Sequence, residues 1–287
     1  MVRRKQGSVT AQDFSPEIVV LKPAKGWLGL NFKELWRYRE LIYFLTWRDI
    51  KVKYKQAFLG IAWVVLLPLV TALVTTYIFE QGLNVQTGDI PYPLFMLSAY
   101  LPWHLFSTSL TKSSISLVTN ANLITKIYFP RVIIPLASVL GSTLDFLVSF
   151  VIVLLAMAVY RFKVLPNLIW VLPLALLTLL TAFAAGLWFS ALNVQYRDVQ
   201  QMVPFINTLW FYITPVLYPI TSFNQGLAKL IYTLNPMVGV VNGFRYAFFG
   251  GEFPRDSLLA SVGVTTVLLI SGLIFFRRME KTFADVV

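Results

Sequence analysis

Residues 58–79 read FLGIAWVVLLPLVTALVTTYIF, a run without one charged side chain. A helix needs about 20 mainly apolar residues to cross the roughly 30 Å hydrocarbon core of a bilayer. The run is too long and too unalternating for an outer-membrane barrel strand, which has about 10 residues and a period of two. Working outward, Leu94–Leu117, Val132–Val159, Ile169–Leu192 and Leu258–Phe276 are further stretches of spanning length. Val203–Ile220 is shorter and carries Pro204, Pro215 and Pro219, so it predicts a broken or kinked fifth span of six. Composition agrees: of 287 residues, 57% are hydrophobic and 13% charged, against about 45–50% and about 25% in soluble domains. This excludes a disordered chain, a nucleic-acid binder and an ordinary soluble enzyme. With no cysteine, disulfides, thiolate metal sites and a cysteine nucleophile are excluded too. The fold class expected is an all-α polytopic membrane protein.

The net charge of +11 is mostly a topology signal. Eighteen of the 24 Lys and Arg fall before the first span, between the second and third, between the fourth and fifth, or after the sixth, and Lys112, near the end of the second span, is counted with them as the nineteenth. Basic loops stay in the cytoplasm, so both termini are expected there. Arg3-Arg4-Lys5 is followed by a polar stretch rather than an apolar core, so no cleavable signal peptide is expected.

Two segments fit neither a span nor a simple loop. Over Lys33–Gln56, Leu35, Tyr38, Ile42 and Leu45 recur at helical spacing, with Tyr43, Trp47, Ile50 and Tyr54 beside them. Arg37, Glu40, Arg48, Lys51 and Lys55 share another face. The pattern predicts an amphipathic helix in the cytoplasmic interface, either an anchor or a platform for a cytoplasmic partner. Gln225–Gly251 is apolar but interrupted by Asn235-Pro236, Gly239, Gly243 and Gly250-Gly251. It predicts two short helices dipping back from the external side, as a cap or as a gate. The domain plan is a cytoplasmic extension at 1–32, the interface helix at 33–57 and a six-span domain at 58–287, with the re-entrant segment at 221–257.

Chemistry is sparse. No phosphate-cradling GxxxxGK[ST] loop, HExxH or GxSxG occurs, so the chain is not expected to hydrolyse ATP itself. His104 is the only histidine and cannot build a multi-ligand metal site; an interhelical hydrogen bond or another structural role is favoured over proton chemistry. Asp145 is the only acidic residue well inside a span and a functional candidate by default. No intramembrane Lys or Arg is expected to pair with it, leaving Ser142, Ser149 or a neighbour. Ala182, Gly186 and Ser190 recur every four positions and favour close helix packing. Tyr92, Tyr160 and Trp170 fit an interfacial belt. Trp63, Trp103, Trp210, Phe211 and Tyr212 lie deeper, where aromatic faces suit an amphiphilic substrate such as a sugar chain.

Tyr54-Lys55-Gln56, Leu59-Gly60, Trp63 and Pro68 resemble the start of the first span in polysaccharide-export permeases of the ABC transporter class. So do Tyr92-Pro93-Leu94-Phe95, Leu101-Pro102-Trp103, Asn120 to Lys126, Phe129-Pro130-Arg131 and Pro135. Asn193, Tyr196-Arg197-Asp198, Pro215 to Pro219, Asn235-Pro236-Met237 and Arg245 extend the resemblance, which covers Lys33 to the C-terminus. It implies a half-transporter that pairs with a second copy of itself and with two copies of an ATP-binding subunit. The cargo implied is an undecaprenyl-linked polysaccharide such as O-antigen, capsule precursor or teichoic acid, moved from the cytoplasmic to the external face of a bacterial inner membrane.

The same resemblance implies that Asn120–Pro130 is a coupling helix docking into the ATPase, with Asn120, Asn122, Leu123, Ile124, Thr125, Lys126, Tyr128 and Arg131 as coupling residues. Arg37, Arg48, Lys51 and Lys55 would attract the lipid pyrophosphate. Trp63, Trp103, Trp210, Phe211, Tyr212 and Tyr218 would line the glycan path, and Asn235, Pro236 and Arg245 would form the external gate. No cofactor or metal is expected in this chain, ATP and Mg belonging to the partner subunit. The alternatives are an ABC permease for a drug or simple lipid, and a proton-coupled secondary transporter.

Overall fold

The computed structural model describes residues 32–55, 60–163, 165–219 and 226–283, and among these the chain is helical, with no strand. Residues 1–31 of the extension, residues 56–59 where the interface helix meets the first span, Val164, Ile220, the start of the re-entrant segment at 221–225 and residues 284–287 lie outside the described residues. The helices are α1 (Phe32–Arg37), α2 (Arg39–Lys55), α3 (Gly60–Thr76), α4 (Tyr92–Thr119), α5 (Ala121–Lys126), α6 (Ile133–Leu140), α7 (Thr143–Val159), α8 (Val171–Gln195), α9 (Val199–Ile213), α10 (Gly226–Leu234), α11 (Pro236–Phe249) and α12 (Arg255–Glu280). A π-helical turn, Tyr77–Gly82, extends α3, and a 3-10 turn, Pro166–Trp170, leads into α8.

Four stretches are long and apolar enough to cross a membrane: Ala62–Gly82, Ile133–Val159, Pro166–Gln195 and Arg255–Glu280. Their outer faces carry the large exposed hydrophobics, among them Leu73, Leu155, Leu172 and Val267, as helices facing lipid require. The 28-residue α4 has the length but not the apolarity. It runs through the middle of the bundle, buried along nearly its whole length, so its polar residues meet other helices rather than lipid. Several of its hydroxyls are satisfied within the helix: Ser98 donates to the Phe95 carbonyl, Thr111 to that of Ser107 and Ser116 to that of Ser113, the back-bonding open to Ser and Thr.

Small residues bring the neighbours close. A Cβ on Gly186 of α8 would lie 2.3 Å from Ser113 Oγ of α4, and Asn193 Nδ2 donates to the Ser114 carbonyl at 3.0 Å. Between α8 and α12, Thr181 and Thr265 hydroxyls meet at 2.8 Å, and between α11 and α12 the Gly239 amide donates to Ser261 Oγ at 3.1 Å.

Three expected elements differ in detail. The amphipathic helix breaks at Tyr38 into α1 and α2. The third span breaks at Gly141–Ser142 into α6 and α7, where Asp49 of α2 packs alongside Gly141. The fifth stretch is a 15-residue helix ending at Ile213. Thr214 is extended (φ −81°, ψ 134°) because it precedes Pro215.

The buried apolar residues form two clusters. The larger joins α4, α7, α8, α9 and α11 through residues such as Phe106, Phe146, Leu174, Val203 and Phe244. The smaller gathers Leu45, Leu117, Ile124, Phe129, Phe276 and Phe283 at the end of the bundle where most of the basic residues collect.

Candidate functional site

That basic end is built around residues 120–131. Arg48 of α2 reaches back with Nη2 to donate to Asn120 Oδ1 at 2.8 Å, and Asn120 Nδ2 donates to the Ser116 carbonyl at 2.8 Å. Eleven residues on, the Arg131 amide donates to Glu280 Oε1 at 3.1 Å and its Nη1 to the Glu280 carbonyl at 2.5 Å. Ile124 and Phe129 are buried in one cluster with Leu45 and Phe276, and Leu123 packs against it. The segment is therefore tied at both ends and in the middle.

What remains outward is Asn122, Thr125, Lys126, Ile127 and Tyr128. Ile127 and Tyr128 are 57% and 64% exposed. A rigid loop with an exposed apolar pair and a flanking cation is a shape that can dock into a cleft and carry a push. The sequence places Ile124 among the docking residues; the structure turns it inward. Ile127 was not singled out. α5 stops at Lys126 and Ile127 is extended (φ −130°, ψ 135°), so helical spacing from Ile124 does not reveal where it points.

Along α1 and α2, Trp36, Tyr43, Phe44 and Trp47 are exposed while Leu45 is buried, an arrangement suited to headgroup depth. The basic stripe divides. Arg48 is committed to Asp49 and Asn120, Lys51 lies over the Trp47 ring at 5.5 Å, and Arg37 and Lys55 are exposed.

Asp145, in the first turn of α7, is fully buried. It does not pair with Ser142 or Ser149. Lys53 Nζ of α2 lies 2.6 Å from Oδ2, Lys112 Nζ of α4 lies 3.7 Å from the same oxygen, and the Tyr54 hydroxyl donates to Oδ1. The expectation that no intramembrane Lys or Arg pairs with Asp145 is thereby corrected: one cation sits on α4 itself, and the other comes from a helix outside the spans. Burial, and then the carboxylate it serves, hold the Tyr54 phenol above the usual tyrosine range.

At the opposite end Asn235 is the joint. Its Oδ1 accepts from Trp210 Nε1 at 2.9 Å and from the Met237 amide at 3.0 Å, and its Nδ2 donates to Thr214 Oγ1 at 3.0 Å. One side chain thus caps α11 and bolts it to the end of α9. Pro236 occupies the first position of α11, where its missing amide costs nothing. Arg245 Nη2 donates to the carbonyls of Pro215 at 2.7 Å and Val216 at 3.1 Å, and its guanidinium lies 3.8 Å from the Phe95 ring centre. It holds the turn that follows α9.

The aromatic residues expected along a glycan path are scattered. Trp103 is buried between Phe106 and Phe211, and Trp210 is set edge-on to Phe106 with its N–H committed to Asn235. Trp63 and Tyr212 are exposed, and the Tyr218 hydroxyl donates to the Tyr212 carbonyl. His104 lies 5.7 Å from the Tyr100 ring, and its Nδ1 is buried without a hydrogen-bond partner among the described residues.

The chain is 31% identical over 252 residues to the O-antigen export system permease protein RfbA of Klebsiella pneumoniae, covering 86% of this chain and 95% of that protein. It is 31% identical over 256 residues to the RfbA protein of the same description from Myxococcus xanthus, covering 88% and 97%. It is 26% identical over 238 residues to the polysialic acid transport protein KpsM of Escherichia coli, covering 82% and 91%. Residues 40–249, from α2 through α11, match the pattern of the ABC-2 type transporter family. With that match and those relatives, the chain belongs to the ABC-2 type transporter family.

Proposed function

We infer that this chain is the membrane-embedded permease subunit of an ABC-type polysaccharide exporter, with ATP hydrolysed in a separate subunit. The observation that carries this reading is the segment from Asn120 to Arg131. In a chain of this family with no phosphate-binding loop of its own, a strut closed by Arg48 and Glu280 and displaying Ile127 and Tyr128 is what a partner's mechanical push requires.

In detail, the chain crosses the bacterial inner membrane six times with both termini cytoplasmic. The four long apolar stretches account for four spans, the buried α4 for a fifth, and the short α9 for the sixth. α10 and α11 form the external cap over the pathway. Two copies meet to enclose a channel, and each takes one ATP-binding subunit on its Asn122–Tyr128 face. Closure of those subunits on ATP pushes both coupling segments, tilts the spans, and opens the channel to an undecaprenyl-linked polysaccharide. The O-antigen names of the relatives favour glycan cargo over the drug or simple-lipid alternative.

The test is to purify the tagged chain gently from its native membrane and assay the eluate for a stoichiometric ATP-binding subunit, beside two variants. Ile127→Asp with Tyr128→Ala is expected to lose the subunit and export at unchanged thermal stability, because neither side chain supports the core. Ile124→Ala is expected to lower stability by about 2–5 kcal/mol, as loss of a buried branched side chain does. A double variant that keeps both subunit and export overturns the coupling role.

A further inference from the structure

The chain that follows α7 and the C-terminal end of α11 border an open pocket of about 370 Å³, at the end of the bundle opposite the coupling segment. Its floor is aromatic. Phe248 is fully buried, and Phe162 stands edge-on to Phe249 with ring centres 5.7 Å apart. Its rim carries Tyr160 and two exposed cations, Arg161 and Lys163, and no described carboxylate lines it. Neither cation has an ion pair or a side-chain hydrogen bond among the described residues.

Arg161 is also held in a backbone conformation that its residue type disfavours. At the end of α7 the Phe162 amide donates to the Met157 carbonyl at 2.9 Å, and the Arg161 amide to that of Ala158 at 3.1 Å. Arg161 takes the left-handed position of this cap, with φ 57°, where glycine is the relaxed residue. Among the described residues Asn84 is the other non-glycine with positive φ, and asparagine tolerates that region. A residue held in strained backbone by its surroundings is a common mark of function.

The apolar surface beside the rim narrows the kind of molecule that fits. Leu147, Val151, Leu155 and Val159 recur every four residues along α7, and each is more than half exposed. They form a continuous apolar ridge that ends next to Tyr160. At 1.5 Å per residue the ridge is about 18 Å long, against about 15 Å for one leaflet's half of the hydrocarbon core. A molecule with a phosphate at the rim and acyl chains along the ridge uses both surfaces; a soluble anion uses the rim alone.

We propose that Arg161 and Lys163 seat the phosphodiester of an anionic phospholipid from the external leaflet, with its acyl chains along the α7 ridge. The leaflet rests on the orientation inferred above; the recognition chemistry does not. The bound lipid bridges the chain after α7 to α11, the helix read above as part of the external cap.

The test uses the full-length chain, delipidated in detergent and titrated with dioleoyl phosphatidylglycerol, dioleoyl phosphatidylcholine or glycerol 3-phosphate. Bound molecules are counted by native mass spectrometry. One phosphatidylglycerol is expected to bind ahead of the rest, with the other two probes held more weakly. Lys163→Gln and Arg161→Gly are each expected to weaken that first site about fivefold, the effect of one cation on an anionic lipid. Lys229→Gln, which removes an exposed cation outside the pocket, is expected to leave it unchanged.

Arg161→Gly separates recognition from structure because it relaxes the left-handed backbone. Its thermal midpoint is expected at or above that of the parent chain while its phosphatidylglycerol affinity falls. An arginine serving only the negative end of the α7 dipole would give a lower midpoint with unchanged affinity, which overturns the seat. Equal binding of the two lipids, an equal loss in Lys229→Gln, or glycerol 3-phosphate binding as tightly as the lipid overturns it too. Maleimide reaching Lys163→Cys only from the cytoplasmic side would refute the external leaflet. Selective binding by a chain that recruits no ATP-binding subunit keeps the seat and removes the exporter reading; recruitment without selective binding does the opposite.

Discussion

Asn235 makes three hydrogen bonds with a single amide group, to Trp210, Met237 and Thr214. Asn235→Ala removes the helix cap, worth about 1 kcal/mol, and strands the Trp210 N–H, while the Thr214 hydroxyl keeps its bond to the Trp210 carbonyl. The expected loss is about 1–3 kcal/mol beyond the cap, read as a lower thermal midpoint of the purified chain by tryptophan fluorescence. Trp210→Phe, which keeps the edge-on contact with Phe106, is expected to lose clearly less. An Asn235→Ala chain as stable as the wild type would refute the joint. The dipeptide Asn235-Pro236 announces a joint in the sequence, because Asn caps and Pro starts a helix. That Trp210 and Thr214 supply the other half is invisible there, since they lie 25 and 21 residues away on a different helix.

Among the elements, the contact of α11 with α12 shows how a glycine can be worth more than its helix propensity. On an isolated helix, Gly→Ala gains about 1 kcal/mol. At Gly239 the added Cβ would lie 2.2 Å from the Ser257 carbonyl and 2.4 Å from Ser261 Oγ, so α11 must move away or the Gly239–Ser261 bond must break. Gly239→Ala is therefore expected to destabilise. Gly263→Ala on α12, where no atom lies within 4 Å of the new Cβ, is expected to be neutral or to stabilise by up to about 1 kcal/mol. The two thermal midpoints should move in opposite directions or differ clearly; equal shifts would contradict the packing. Element lengths were readable to within a few residues from apolar runs. The break at Gly141–Ser142 was not, because it falls inside a continuous apolar run whose length alone reads as one span.

For the whole molecule, the uneven charge translates into a sided bundle. Lys126, Arg131, Arg277 and Arg278 cluster with the ends of α4 and α12, whereas Arg161, Lys163 and Arg245 belong to the other end. Because the chain has no cysteine, any introduced thiol is unique. Thr125→Cys on exposed α5 is expected to react with a membrane-impermeant maleimide only in inverted vesicles, and Lys163→Cys only in right-side-out ones. Labelling of both from one side would refute the span count, and the inverse pattern would refute the orientation.

The sequence alone determined that the chain is a helical membrane protein, roughly where its long helices lie, and which loops are basic. Those properties follow from the length and period of apolar runs, which the bilayer and the helix repeat dictate locally. The tertiary structure alone decided the partnerships: Arg48 with Asn120 across 72 residues, Lys53 with Asp145 across 92, and Arg131 with Glu280 across 149. Which side chain meets which partner depends on how helices from distant parts of the chain pack, and hydropathy and spacing within one helix carry no record of that.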